Sequence, residues 1–165
     1  MAGVSTTPKS LMVKKTSKEV DPRTAHSKQA TSDATAQILV LVVDDHEDTR
    51  DLLRYVFETH GYQVVEATDG EEAVCLAETC CPDAIVMDST LRQLDGFEAT
   101  RRIRNLPTVS NVPIVFLSGH AQATAREQAL ASGANDYLVK PVCIDTLETS
   151  IDRLLEKAGR IQPRC

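Results

Sequence analysis

Four apolar runs in this chain each end in polar residues. Residues 38–43 run into Asp44 and Asp45, 84–87 into Asp88, 113–117 into Ser118, and 137–139 into Lys140 and Pro141. Continuous β-branched and aliphatic runs without alternation predict strands buried on both faces, the mark of a parallel sheet. Residues 63–67 predict one further, shorter strand. Between the strands the apolar period lengthens to that of a helix. The first helix is expected over about residues 47–60, with Leu52, Leu53, Val56 and Phe57 at helical spacing and Gly61 stopping it. Thr68 or Asp69 caps a second, whose inward face includes Ala73, Val74 and Ala77, and Pro82 ends it. A third is expected from Gly96 to about Arg104, and a fourth over about 122–131, closed by Gly133. The last covers about 144–158, with Ile151, Leu154 and Leu155 inward and Gly159 closing it. Five such units predict an α/β fold with a doubly wound five-stranded parallel sheet flanked by helices on both faces, because each parallel crossover needs a covering helix.

In open parallel sheets, ligands bind beyond the carboxyl ends of the strands. The polar residues that close the runs should therefore converge: Asp44, Asp45 and Asp88 with the Ser118 hydroxyl and the Lys140 ammonium. Three carboxylates at adjacent strand ends repel one another unless a cation lies among them. Hard oxygen donors with room for water suit Mg2+. Lys140 supplies a second positive charge, and Lys140-Pro141 is a candidate cis peptide bond. A carboxylate beside Mg2+, an ammonium and a hydroxyl suits phosphoryl transfer to that carboxylate, by positioning and charge neutralisation. Asp88 is the best acceptor, because it stands alone at the end of the central strand. Plainer roles exist for each residue. Asp44-Asp45 would also cap a helix, Ser118 would be an ordinary strand-end hydroxyl, and Tyr137 a packing residue. His46 and His120 read as solvated loop histidines rather than metal ligands, and Arg101, Arg102 and Arg104 as a solvated basic face.

Composition narrows the class. Hydrophobic residues make up 42% and charged residues 25% of 165, which is ordinary for a soluble globular chain. The net charge of −6 is uneven: residues 1–36 carry a surplus of +3, leaving about −9 on the remainder. An acidic body argues against direct nucleic-acid binding, which needs a basic face. The five cysteines, Cys75, Cys80, Cys81, Cys143 and Cys165, are odd in number and have no C-x-x-C spacing. They read as free thiols of a reducing cytoplasm, with Cys80-Cys81 simply closing a helix. No run reaches the length of a membrane span or a signal-peptide core. Residues 1–36, rich in Ser, Thr, Lys and Ala, are expected to form a disordered tail. Residues 37–160 form the domain, 161–165 a short C-terminal tail, and no second domain is expected.

Residues 38–158 resemble the receiver domain of two-component response regulators. The resemblance rests on Asp44-Asp45 with Arg50 beyond; Asp88 followed by Asp95-Gly96; Ser118-Gly119; and Gly133-Ala134-Asn135-Asp136-Tyr137-Leu138-Val139-Lys140-Pro141. It implies a flavodoxin-like fold with strand order 2-1-3-4-5, taken here from the family. It further implies that Asp88 accepts a phosphoryl group from a phosphohistidine on a sensor histidine kinase or a histidine phosphotransfer protein. Asp44, Asp45, Asp88 and the backbone carbonyl of Thr90 would hold Mg2+. Lys140 would pair with the phosphoryl group, Ser118 would move to bind it, and Tyr137 would rotate inward behind it. Thr90 and His120 stand where the family tunes phosphoryl loss. A downstream protein would dock on the face formed by helix four, strand five and helix five, with the chain a monomer or a phosphorylation-dependent dimer. One departure stands out: where the family usually has Met-Pro, this chain has Leu91-Arg92. Two other readings remain at this point. An aspartate-dependent phosphohydrolase would need an acid two residues after Asp88, where Thr90 stands. A phosphorylation-independent scaffold would have no use for Asp88 and Lys140.

Overall fold

A computed structural model describes residues 37–161. The expected N-terminal tail and residues 162–165 lie outside the described residues. Strands and helices alternate: β1 (Leu39–Val43), α1 (Glu47–Thr59), β2 (Gln63–Ala67), α2 (Gly70–Cys80), β3 (Ala84–Asp88), α3 (Gly96–Arg104), β4 (Ile114–Ser118), α4 (Ala123–Ser132), β5 (Asp136–Val139) and α5 (Ile144–Lys157). The strands form one parallel sheet in the order β2-β1-β3-β4-β5.

Alternate residues of each central strand face opposite ways, so the sheet has two packed faces. Leu41, Val43, Ile85, Met87, Ile114 and Phe116 meet the small inward residues Ala73, Ala77, Ala99 and Ala129 of α2, α3 and α4. Val40, Val42, Val86, Val115 and Leu117 meet Leu53 and Phe57 of α1 and Leu147, Ile151 and Leu155 of α5. Burying large aliphatic side chains contributes about 1.5–3 kcal/mol each, and β1, β3 and β4 carry most of them.

Local chemistry sets the ends of the elements. Asp69 accepts hydrogen bonds from the backbone of Glu71 and Glu72, capping α2. Glu72 reaches back to the Thr68 backbone N–H, one residue before the cap, a second tie across the start of α2. Cys81 closes α2 in the left-handed conformation at φ 48°, and Gly133 closes α4 at φ 106°. The Lys140-Pro141 bond is cis.

Three expectations need correction. The run 137–139 is not buried on both faces: β5 is an edge strand, and Val139 is 40% exposed. Leu52, at helical spacing with its neighbours, falls outside the arc that α1 buries and is 55% exposed. Arg104 is no solvated cation. It is half-buried and donates to the carbonyls of Gly133, Ser110 and Val112 and to Asn135 Oδ1, tying α3 to the β4 and β5 entries. Burial alone pulls its pKa below the ordinary value.

Candidate functional site

The order of strands reverses direction between β1 and β3, and such a reversal opens a crevice at the carboxyl edge of the sheet. β1 delivers Asp44 and Asp45 to this crevice, and β3 delivers Asp88. β5 lies two strands from β3, roughly 10 Å away at ordinary strand spacing, so only a long side chain from its end can reach. Lys140 reaches: its Nζ lies 2.6 Å from Asp44 Oδ2 and 2.8 Å from Asp88 Oδ1. Its backbone N–H donates to Ser118 O at 2.7 Å, which fixes the start of that reach.

Burial opposes the charge on Lys140, but the hydrogen bonds and charges of Asp44 and Asp88 outweigh it and hold the ammonium pKa above its ordinary value. Asp44 is only 1% exposed. Its second oxygen accepts the His46 backbone N–H at 2.9 Å, and its carbonyl accepts Arg50 Nη1 at 2.8 Å. The plain capping role does not hold: His46 is the α1 cap residue and gives no side-chain cap bond. Asp88 Oδ2 accepts the Thr90 backbone N–H at 2.7 Å. Both oxygens of the expected acceptor therefore have donors, as an ionised carboxylate requires.

Asp45 is less complete. Its Oδ2 accepts Arg92 Nε at 3.0 Å. Among the described residues its Oδ1 is sealed from solvent without a hydrogen-bond partner, and His46 Nδ1 meets it at 2.7 Å without hydrogen-bond alignment. A buried carboxylate oxygen with no donor needs a partner. Asp44, Asp45 and His46 each offer a ligand atom within 4.8 Å of the others. The donors fit Mg2+, which takes one or two carboxylates and keeps several waters. His46, expected to be a free loop residue, is mostly exposed yet paired with these carboxylates.

The Ser118 hydroxyl is buried, and its hydrogen bonds among the described residues go elsewhere. Ser89 Oγ donates to it at 2.7 Å and the His120 backbone N–H at 3.1 Å. Beside it lies a cavity of about 230 Å³, lined by Ser89, Thr90, Phe97, His120 and α4 residues. Tyr137 is already inward, 3% exposed, and donates its hydroxyl to His120 O at 2.6 Å. A continuous chain of bonds thus joins Ser89, Ser118, His120 and Tyr137. Sequence reading missed Ser89, whose partner is 29 residues away, and missed the Arg92–Asp45 pair, 47 residues apart. Only the unusual charge at position 92 hinted at the latter.

The described residues include no helix long and apolar enough to cross a membrane. Residues 40–152 match the family model described as response regulator receiver domain. An uncharacterized 14.6 kDa protein of Leptolyngbya boryana is 45% identical over 68% of this chain and 85% of its own length. Protein PilH of Pseudomonas aeruginosa is 35% identical over 70% of this chain and 96% of its own length. Other relatives are longer: the chain spans 52% of a transcriptional regulatory protein and 10% of a sensor protein. Among solved structures, a receiver domain of a Pseudomonas aeruginosa sensor histidine kinase, with a magnesium ion in its active site cleft, is 36% identical. It covers 73% of this chain and 99% of its own, with a TM-score of 0.69.

Proposed function

Because this chain belongs to the response regulator receiver domain family, a family of phosphoryl-accepting domains in two-component signalling, we propose that Asp88 is its acceptor. The observation that carries the reading is the Lys140 ammonium held between Asp44 and Asp88. That contact sets a positive charge against the one carboxylate that ends the central strand. In the step, an Asp88 oxygen forms a bond to phosphorus while the N–P bond of a phosphohistidine breaks, and the departing imidazole keeps the electron pair and takes up a proton. Lys140 stays beside Asp88 and balances charge on the transferred group. The Thr90 N–H holds the other carboxylate oxygen and orients the acceptor.

Receiver domains bind Mg2+ at an acidic site, and Asp45, with Asp44, Asp88 and the Thr90 carbonyl, would hold it here. When bound, the ion neutralises charge on the phosphoryl oxygens. After transfer, Ser118 leaves Ser89 for a phosphoryl oxygen. That movement breaks its bond to the His120 N–H, and the His120 carbonyl carries the Tyr137 hydroxyl, so the change reaches β5. The surface of α4, β5 and α5 is then the face whose preferred partner changes. The donor is a histidine kinase or histidine phosphotransfer protein.

The test is transfer from a phosphorylated histidine phosphotransfer protein in Mg2+. The wild-type chain should discharge the donor and gain the label, and Asp88→Asn should leave the donor charged. Discharge that is equal with both chains would overturn the assignment.

A further inference from the structure

Arg92 extends from the loop between β3 and α3. Leu94 is buried in the core and Leu91 packs against it, so the loop is pinned on both sides of its exposed tip, Arg92 and Gln93. Gln93 has φ 62°, in the left-handed region, which reverses the chain directly after Arg92. The arginine itself is 80% exposed, but its Nε–H donates to Asp45 Oδ2 at 3.0 Å, on a carboxylate that is only 10% exposed. A cation thus lies on one side of a carboxylate whose other oxygen, beside His46 Nδ1, is sealed from solvent.

Charge counting shows what this contact does. Three carboxylates against Lys140 and Arg92 leave one negative charge. A divalent ion added with Arg92 still in place leaves one positive charge, and with Arg92 released the site is neutral. Of these states, only the one with the ion bound and Arg92 released is neutral.

We propose that Arg92 is a built-in counter-cation that competes with Mg2+ for Asp45, so that metal binding requires the guanidinium to swing out. The inference rests on the reading of this crevice as a Mg2+ site. Competition lowers the apparent metal affinity by the fraction of molecules in which the pair is closed. The pair is exposed on the arginine side, where ion pairs are weak, so the effect is a modest one. Preordering by Leu91 and Leu94 keeps it from vanishing, because less freedom is lost on closing the pair.

The experiment titrates wild type, Arg92→Gln and Asp45→Asn with Mg2+ alone, followed by 15N NMR of backbone amides and arginine Nε–H groups. Arg92→Gln should bind Mg2+ about threefold more tightly, the change expected for loss of a weak surface pair. The Arg92 Nε–H signal of wild type, identified by its absence from the variant, should shift in step with metal saturation. Equal affinities for the two chains, or an Arg92 signal that stays still while the Asp88 amide shifts, would overturn the proposal. Asp45→Asn separates the two levels of inference: it should lose the metal response, and a variant that still binds as wild type would contradict the site itself.

Discussion

The Ser89 hydroxyl donates to the Ser118 hydroxyl across 2.7 Å, joining the ends of two neighbouring strands inside the protein. In the proposed switch, Ser118 abandons this bond to reach a group on Asp88. Ser89→Ala removes one neutral hydrogen bond, worth about 1 kcal/mol, from the resting arrangement. The variant should therefore bind beryllofluoride, a phosphoryl mimic, roughly fivefold more tightly in Mg2+ by 19F NMR titration. An unchanged or weaker affinity would mean that Ser89 does not restrain Ser118.

Lys140→Met leaves two buried carboxylates, Asp44 and Asp88, without the charge that holds them together. Stranding buried charge is destabilising, here by about 1–3 kcal/mol. Urea unfolding should show that loss in chelator, and saturating Mg2+ should recover much of it by supplying another cation. No loss in chelator would show that the bridge contributes nothing.

The same lysine sets an alkaline limit. Its pKa is raised in the folded chain, because Asp44 and Asp88 outweigh the burial that opposes its charge. A cation that holds its proton more tightly when folded contributes fully below its ordinary pKa of 10.5, and the contribution disappears as pH rises through the folded value. The stability difference between wild type and Lys140→Met in metal-free buffer should be flat around neutrality and narrow only above that ordinary value. A difference that already narrows between neutrality and that ordinary value would contradict this coupling.

Gly96 packs against the Asp88 backbone. A Cβ there would collide with the Asp88 carbonyl oxygen and press on Met87 and Phe116 at 3.2 Å. Backbone cannot step aside as a flexible side chain would, so Gly96→Ala should cost about 1–3 kcal/mol. It should also shift the Asp88 amide resonance. Wild-type stability in the variant would show that α3 has more room than the geometry gives it.

The architecture was legible because buried parallel strands and their covering helices write different periods into the chain. Residues 84–88 and 114–118 are apolar throughout until their last residue, and they form two of the three central strands. The meeting of Lys140 with Asp44 and Asp88 followed from strand ends alone, once the strands were placed. Local sequence did not show that β5 is an edge strand, since pairing partners decide that. Nor did it show that Arg104 binds four backbone or side-chain oxygens, since a run of arginines on a helix looks solvated. Pairs such as Ser89–Ser118 and Arg92–Asp45 depend on rotamers and loop paths that no periodicity records.

The central claim is that Asp88 takes up a phosphoryl group. Intact-mass spectrometry after incubation with acetyl phosphate and Mg2+ tests it most directly. Wild type should gain about 80 Da, the mass of one phosphoryl group, and Asp88→Asn should gain nothing. An adduct of equal yield on the variant, or none on wild type with either acetyl phosphate or a phosphohistidine donor, would contradict it.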